Sequence, residues 1–356
     1  METTDTEKIN RIIKKHVIPF VKDIDTLGYY PESFLRETGK AGLLNSSKLT
    51  EDLIRKREIG LIEQAAKHCM TSAFLLWCQL AAIASLRLSH NSSIKDTILP
   101  LLESGEGLAG PGLSNGLKFY AGVEPIRLQA VRTEAGYRVT GSLPSVSNLD
   151  QGNWLTILAS VNENRRIMGI LPVQSQGLSL KEKTGFIGMN GTKTNSCSFD
   201  QVFLPDKWVI TEESDVFIEK LRPTLVLYQI PLGIGVSSAA LTSMYYARGK
   251  MPELQYLKVQ PEELERDVDE IRKRIYCLAD LPNLPKVGKE MLLTRLDVVH
   301  VTSKAVYGDM LFSGGRAYLK ESSSFRRLRE SYFLVNLTPT LKQLEKLKGT
   351  IKAGPS

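Results

Sequence analysis

The spacing of apolar residues changes twice along this chain, and that change restricts the fold more than any other feature. Between residues 7 and 103 apolar residues recur every three or four positions, as in INRIIKKHVIPFV and LTEDLIRKREIGLIEQAAKHC, which predicts helices. Between residues 107 and 208 the period falls to two, which predicts strands. Beyond Pro205 the helical period returns. The pattern predicts an α block, a β block and a second α block.

The two helical blocks differ in kind. Residues 1–104 are expected to form an N-terminal α-helical domain, in which the segment from 73 to 86 is apolar nearly all round and predicts a helix buried on every side. Residues 213–356 hold helical stretches long enough to pack as an antiparallel four-helix bundle. The aromatic residues Trp77 and Tyr246 lie within apolar helical stretches, and we expect both in the core.

The block at residues 105–212 is expected to form a central β domain. LQAVRTEAGYRVTGSL alternates around a short turn, and WLTILASV, RIMGILPV and SCSFDQVFLP are strand-length runs separated by polar residues. Short strands at these intervals favour a small β barrel or sandwich. The predicted fold class is therefore α+β multidomain: an N-terminal α-helical domain, a central β barrel or sandwich, and a C-terminal antiparallel four-helix bundle.

Charge and composition exclude several function classes. The net charge is +7, but basic and acidic residues alternate, as in EELERDVDEIRKR, and no dense basic run suggests nucleic-acid binding. Four cysteines and four histidines are scattered without the spacing of a metal site or a disulfide framework. The longest apolar run, AFLLWCQLAAIASL, is shorter than the ~20 residues of a membrane span, and METTDTEKIN lacks a signal core. We expect no metal, nucleic-acid or membrane partner, and a cytoplasmic protein.

One loop is longer than its position requires. GSLPSVSNLDQGNW, residues 141–154, joins two strand-like runs with more residues than a tight hairpin needs. It carries Ser145, Ser147 and Asn148. Small polar side chains of this kind often satisfy backbone groups in turns, and loops between strands also carry function. The residues alone leave both interpretations open.

Several segments in one collinear order resemble the acyl-CoA dehydrogenase superfamily over almost the whole chain. They are VIPFVKDIDTLGYYPESFLRETGKAGLL, GLAGPGLSNG, GYRVTGSLPSVSN, FDQVFLPDKWV and FSGGRAYLKESSSFRRLRE. The resemblance implies the family's fold of α domain, β domain and α bundle. It implies FAD as the cofactor, with FMN, or reduced flavin supplied by another protein, as alternatives. Because proteins of one fold can have different functions, the function of this chain must be inferred from its site residues.

In the family, the loop after the Gly-Tyr strand lies beside the flavin ring. Ser147 stands where the family has a hydrogen-bonding threonine, and Asn148 follows it. A serine hydroxyl can donate or accept in the same way. Ser145 replaces the family's flavin-flanking tryptophan, and this removes a large aromatic wall. The resemblance therefore assigns these three residues to the cofactor site, with an altered pocket at Ser145.

A second segment implied to contact flavin is GLAGPGLSNG. Pro111 and Gly112 keep the family's turn, where a backbone without side chains can approach a ligand closely. Ala109 and Gly110 replace the family's Thr-Glu, so one neutral hydrogen bond, worth about 1 kcal/mol, is expected to be missing. Such a loss weakens cofactor binding without preventing it.

The resemblance also implies a homodimer or homotetramer whose partner subunit completes the cofactor site. YARGKMPEL corresponds to the family's Arg-x-x-Phe-Gly, so Arg248 is the candidate cation for the pyrophosphate, although Phe-Gly is absent. Gly314 and Gly315 correspond to glycines that approach the dinucleotide. From the sequence alone, Arg248 is equally an ordinary solvated residue, and the two glycines are equally a helix C-cap.

The family's catalytic base is absent. Acyl-CoA dehydrogenases remove an α-proton with a carboxylate, and ungapped alignment places Thr338 at that position. A minority of the family carries the base on the first long helix of the bundle, where this chain has Pro223. Threonine has no useful basicity near neutral pH. Glu330 and Asp309 lie nearby in sequence, and we expect both to be solvated or ion-paired.

Three functional hypotheses follow. The first is a flavin-dependent oxidoreductase acting on an acyl thioester or related small substrate, linked to CoA or to a carrier protein. The second is a monooxygenase or N-oxidase of the same fold, in which reduced flavin from a separate reductase meets oxygen. The third is a catalytically inactive homologue that binds a ligand or partner. The family's dominant activity favours the first, and an electron-transfer or reductase partner would accompany the first or second.

Overall fold

The computed structural model describes residues 3–352. The first helical block contains α1 (Thr3–His16), α2 (Val21–Thr26), α3 (Glu32–Lys40), α4 (Glu51–His68), α5 (Met70–Leu88) and α6 (Leu99–Ser104). Pro31 precedes α3, and Gly105, in the left-handed conformation with φ of 76°, ends α6. A glycine accepts that conformation without the steric cost of a Cβ atom.

Helix α5 is buried on every side, as its composition predicts. All its residues from Met70 to Leu86 are buried. By length and composition alone, α5 and the stretch Ser214–Lys250 could cross a membrane, but most of each lies inside the protein. Core helices have the same composition, so this is weak evidence for a membrane span.

The central block forms eight strands. They are β1 (Ala109–Gly112), β2 (Leu128–Thr133), β3 (Gly136–Val146), β4 (Trp154–Ser160), β5 (Arg166–Pro172), β6 (Leu178–Glu182), β7 (Asn195–Pro205) and β8 (Val209–Thr211). Their order in the sheet is β6–β7–β3–β2–β4–β5–β8, with β1 paired to β4. Strands β2 and β4 pair only at Gln129 and Ser160, so the strands form two halves that enclose one apolar cluster.

A short helix interrupts the β block where the sequence predicts none. Helix α7 (Ser114–Tyr120) follows β1 directly. Gly116 lets it lie close to the sheet, because a Cβ atom there would be 3.2 Å from the Leu158 side chain. Leu117 is buried on the same helix. This tertiary packing, rather than any apolar period, stabilises α7.

The remaining chain forms α8 (Ser214–Leu227), α9 (Ile230–Lys250), α10 (Pro261–Asp280), α11 (Gly288–Ser313), α12 (Ser323–Asn336) and α13 (Leu341–Lys352). Helices α9 to α12 pack together as the C-terminal bundle. Helix α9 also lies directly on α4, since a Cβ atom at Gly235 would be 2.5 Å from Ala66 Cβ. The bundle and the N-terminal helices consequently share one apolar cluster.

The expectation that Tyr246 is a core residue is wrong. Tyr246 is 66% exposed, whereas Met244, two residues earlier, is fully buried. The buried residues of α9 are concentrated in its first half, between Ile230 and Leu241. The last turns of the helix extend past the packed region, and this position leaves the tyrosine on the surface.

Candidate functional site

A cavity of about 340 Å³ opens where the β domain meets the two helical blocks. The end of β3 contributes Ser145 to its wall, the turn after β3 contributes Ser147, and β1 contributes Pro111. The segment between α12 and α13 contributes Thr338 and Thr340. The fold therefore brings the predicted flavin loop and the family's base position to one cavity, although they lie nearly 200 residues apart in sequence.

A row of three hydroxyl groups lines one wall of this cavity. Ser147 Oγ lies 2.7 Å from Thr194 Oγ1, which lies 2.8 Å from Thr192 Oγ1. Thr192 in turn donates to the backbone oxygen of Met189 at 2.8 Å. Because the single proton of Thr192 goes to the Met189 oxygen, Thr194 donates to Thr192 and Ser147 donates to Thr194, so this arrangement presents hydroxyl lone pairs to a ligand.

The pairing of β3 with β7 creates this row. Val146 pairs with Asn195 at the end of the ladder, and the contact continues beyond it, where Asn148 N donates to the oxygen of Thr192 at 2.9 Å. Ser147 is thereby placed beside the threonines that precede β7. The sequence alone does not single out Thr192 and Thr194. Their alternation in GTKTN is a signal only once the pairing of β3 with β7 is known.

Asn148 has a structural role in this site. The Tyr30 hydroxyl donates to Asn148 Oδ1 at 2.7 Å, and Asn148 Nδ2 donates to the Ala109 oxygen at 2.9 Å. Asn153 Nδ2 donates to the Asn148 backbone oxygen at 3.1 Å. The residue is fully buried, has a φ of 62°, and does not line the cavity. Its side chain holds the loop that carries Ser147.

Of the residues of β1, some line the cavity and others pack against neighbouring elements. Pro111 lines the cavity. Ala109 is buried beside it, and its N–H donates to Gln79 Oε1 at 2.8 Å. A Cβ atom on Gly112 would lie 2.5 Å from the Thr156 oxygen. The close approach of β1 to β4 therefore accounts for the glycine, and neither Ala109 nor Gly112 lines the cavity.

Thr338 lies on the cavity wall formed by the helical blocks, and a hydrogen bond from a buried side chain holds its backbone. Gln229 Nε2 donates to the Thr338 oxygen at 2.9 Å, and Gln229 Oε1 accepts from Arg295 Nε at 3.0 Å. Arg295 is fully buried, and its Nη2 donates to the Leu334 oxygen in the last turn of α12 at 2.8 Å. A cation at a helix C-terminus is favourable. Pro223 is buried in α8 and does not line the cavity.

The cavity lining offers no ordinary proton acceptor. Cys78 and Lys118 are the only ionisable side chains among its lining residues, and burial raises the pKa of the Cys78 thiol well above its usual value. Glu330 is buried and paired with Arg326 at 2.9 Å, and Asp309 is buried and paired with Arg327 at 2.6 Å. Both carboxylates lie outside the lining.

The predicted pyrophosphate-binding residues lie elsewhere on the chain. Arg248, near the end of α9, pairs with Glu262 and donates to Gln260 Oε1 at 2.8 Å. Gly314 ends α11 with a φ of 56°, and both Gly314 and Gly315 are exposed with open space where a Cβ atom would stand. None of the three lines the cavity.

Comparison with known proteins shows a likeness to acyl-CoA dehydrogenases in sequence and in fold. No protein-family model matches the chain. The chain is 25% identical over 232 residues to cyclohexane-1-carbonyl-CoA dehydrogenase of Geobacter metallireducens, and the match covers 61% of this chain and 59% of that protein. Its fold matches butyryl-CoA dehydrogenase from Megasphaera elsdenii over 98% of both chains, with a TM-score of 0.88 and 15% identity.

The chain is similar in sequence to curated acyl-CoA dehydrogenases and has the acyl-CoA dehydrogenase fold. The same fold occurs in the structure of PigA with FAD and proline, which has a TM-score of 0.83 and 14% identity and covers 98% of this chain and 97% of that one. At these identities the structural likeness establishes the fold alone.

The side chains that line the cavity can be compared with what a flavin ring would need. Phe74 and Phe333 offer apolar surface for the faces of a flat heteroaromatic ring. The hydroxyl row at Ser147 and Thr194 offers acceptor oxygens for an N–H group on its polar edge. The residues present therefore fit the family's cofactor at this cavity.

Proposed function

We propose that this chain is a flavin-dependent oxidoreductase that acts on an acyl thioester or a related small substrate. The observation that carries the proposal is the cavity in which the hydroxyl row and Thr338 stand on opposing segments of the chain. A bound flavin would supply two-electron redox chemistry. FAD is the proposed cofactor, with FMN as the alternative.

The protein's own residues would bind and orient the two reactants. Ser147 and Thr194 would hydrogen-bond the polar edge of the ring, and the apolar side chains of α5 and α12 would cover its faces. The deep burial of Cys78 and Trp77 would exclude water from the reacting atoms. Dehydrogenation would also need a proton acceptor, and Thr338 cannot serve as one.

A second candidate is oxidation by reduced flavin and oxygen. The absence of a carboxylate or imidazole from the cavity lining favours it, because that chemistry does not begin with removal of an α-proton by the protein. A separate reductase would then be the partner, whereas a dehydrogenase would pass its electrons to an electron-transfer protein. For either activity we propose a homodimer or homotetramer, in which Gly314, Gly315 and Arg248 face the partner subunit's cofactor.

The experiment that tests the proposal uses protein loaded with FAD and mixed anaerobically with butanoyl-CoA. Loss of the visible flavin absorption would support dehydrogenation. If the absorption persists, the protein is supplied with oxygen, NADH and a flavin reductase, and an oxygenated product would support the second candidate. Failure of both reactions across a panel of acyl thioesters would contradict an oxidoreductase function and leave a ligand-binding homologue.

A further inference from the structure

The cavity has an open mouth and a closed floor. Ser114, Ser145 and Phe186 are exposed at the mouth. The floor is made by one face of α5, where Phe74, Trp77 and Cys78 are at most 6% exposed. A ligand that enters from solvent therefore meets α5 last.

The floor is held rigidly. Trp77 Nε1 donates to the backbone oxygen of Leu225 in α8 at 3.1 Å, which fixes the indole ring. Phe74 stacks on Trp77, with ring centroids 5.4 Å apart and planes 11° apart, and meets Phe333 edge-on at 4.5 Å. Movement of an aromatic side chain that is both stacked and hydrogen-bonded costs free energy, because both interactions are lost.

Helix α5 itself cannot slide to enlarge the cavity. Gln79 is fully buried, and its Nε2 donates to the oxygens of Leu102 and Gly107, both at 3.0 Å. Its Oε1 accepts from Ala109 N at 2.8 Å. Movement of α5 by one turn would leave these three buried backbone groups without partners, which is costly.

We propose that Trp77 sets the substrate range of this site by closing its inner end, so that the acyl group is compact and uncharged. This inference rests on the proposed function. A volume of about 340 Å³ lies near the lower end of the ~300–1,000 Å³ typical of small-molecule sites, and ring and acyl group must share it. The floor holds aromatic side chains and the Cys78 thiol, and Lys118, a cation of the lining, lies on α7 and pairs with Glu124 at 3.6 Å, so a carboxylate buried at the floor would lack a partner.

The test measures the dissociation constants of three probes for the FAD-loaded protein by calorimetry: butanoyl-CoA, dodecanoyl-CoA and succinyl-CoA. We expect butanoyl-CoA to bind about tenfold or more tightly than each of the others. Trp77→Leu should improve dodecanoyl-CoA binding about tenfold relative to butanoyl-CoA, since it removes the wall. Trp77→Phe, which keeps an aromatic ring, should not change that ratio.

Phe312→Ala is the control for lost core volume, because Phe312 is fully buried in α11 and does not line the cavity. It should lower the melting temperature without changing the ratio of dissociation constants. Equal binding of butanoyl-CoA and dodecanoyl-CoA by the unaltered protein, or no effect of Trp77→Leu on their ratio, overturns this inference alone. Tight binding of succinyl-CoA overturns its charge argument. If no thioester binds, both the proposed function and this inference are wrong.

Discussion

Ser147 and Thr194, 47 residues apart in the chain, share a hydrogen bond of 2.7 Å at the wall of the cavity. The bond joins a loop after one strand to the segment before another, and it links the two backbones that flank the proposed flavin edge. The hydrogen bond to Thr194 therefore fixes the orientation of the Ser147 side chain.

Ser147→Ala should weaken FAD binding about five- to tenfold, because it removes one neutral hydrogen bond worth about 1 kcal/mol. Ser147→Thr, which restores a hydroxyl, should bind FAD like the unaltered protein. The dissociation constants are measured by titration of flavin absorption. Ser142→Ala, on the exposed face of β3, is the matched control and should change nothing. If Ser147→Ala binds FAD as tightly as the unaltered protein does, Ser147 does not hydrogen-bond the cofactor.

Asn148→Ala should lower the free energy of unfolding by about 3 kcal/mol. The change leaves the Ala109 oxygen without its buried donor and forces alanine to adopt a φ of 62°. Tyr30→Phe should cost about 1–2 kcal/mol, since it removes the donor to Asn148 Oδ1 and the acceptor of a longer bond from Asn153 Nδ2. Urea unfolding measures both. Tyr29→Phe is the neighbouring control, and a loss of stability there equal to that of Tyr30→Phe would contradict a specific role of the Tyr30 hydroxyl.

Thr338→Glu should create the proton acceptor that the cavity lacks. Incorporation of deuterium from heavy water at the α-carbon of butanoyl-CoA reports this directly, without any redox step. We expect exchange at least about 100-fold faster than in the unaltered protein, which is the usual contribution of a positioned base. Thr338→Gln has a similar shape and no basicity, so it should not accelerate exchange. Rapid exchange by the unaltered protein would reveal a base that the cavity lining does not show.

The cysteines should differ sharply in reactivity. Burial raises the pKa of Cys197 to about 12 and raises that of Cys69 and Cys78, whereas Cys277 is exposed. Since the thiolate is the reactive form, these buried thiols stay protonated and unreactive at pH 8. One thiol per chain should react quickly with a chromogenic disulfide, none in Cys277→Ser, and four after denaturation. Fast reaction of a second thiol in the folded protein would contradict the packing of the core.

Much of this architecture could be predicted because it depends on local pattern. The sequence of α5 is apolar on nearly every side and so predicts its burial, and the alternation in LQAVRTEAGYRVTGSL predicts the hairpin of β2 and β3. The segment from residue 141 to residue 154 does reach a cavity that Ser145 and Ser147 line, although β3 continues to Val146 and the loop itself begins only at Ser147. These features follow from a few neighbouring residues, which a sequence displays directly.

The rest depends on partners that are distant in sequence. The sequence pattern could not distinguish the structural role of Asn148 from the cavity-lining role of Ser147. The Tyr30 hydroxyl that donates to Asn148 lies 118 residues away in the chain. The floor of the cavity combines Trp77 of α5 with Leu225 of α8, and only their packing converts a core tryptophan into a cavity wall. Helix α7 likewise depends on its contact with Leu158.

The central claim is that this cavity binds a flavin, and the most direct measurement is the titration of flavin-free protein with FAD and FMN, followed by visible absorption. The unaltered protein should perturb the FAD spectrum saturably. Leu117→Trp, which fills the cavity from α7, should weaken binding at least about tenfold. No spectral change with either flavin, or equal binding by Leu117→Trp, would contradict the assignment of this cavity as the cofactor site.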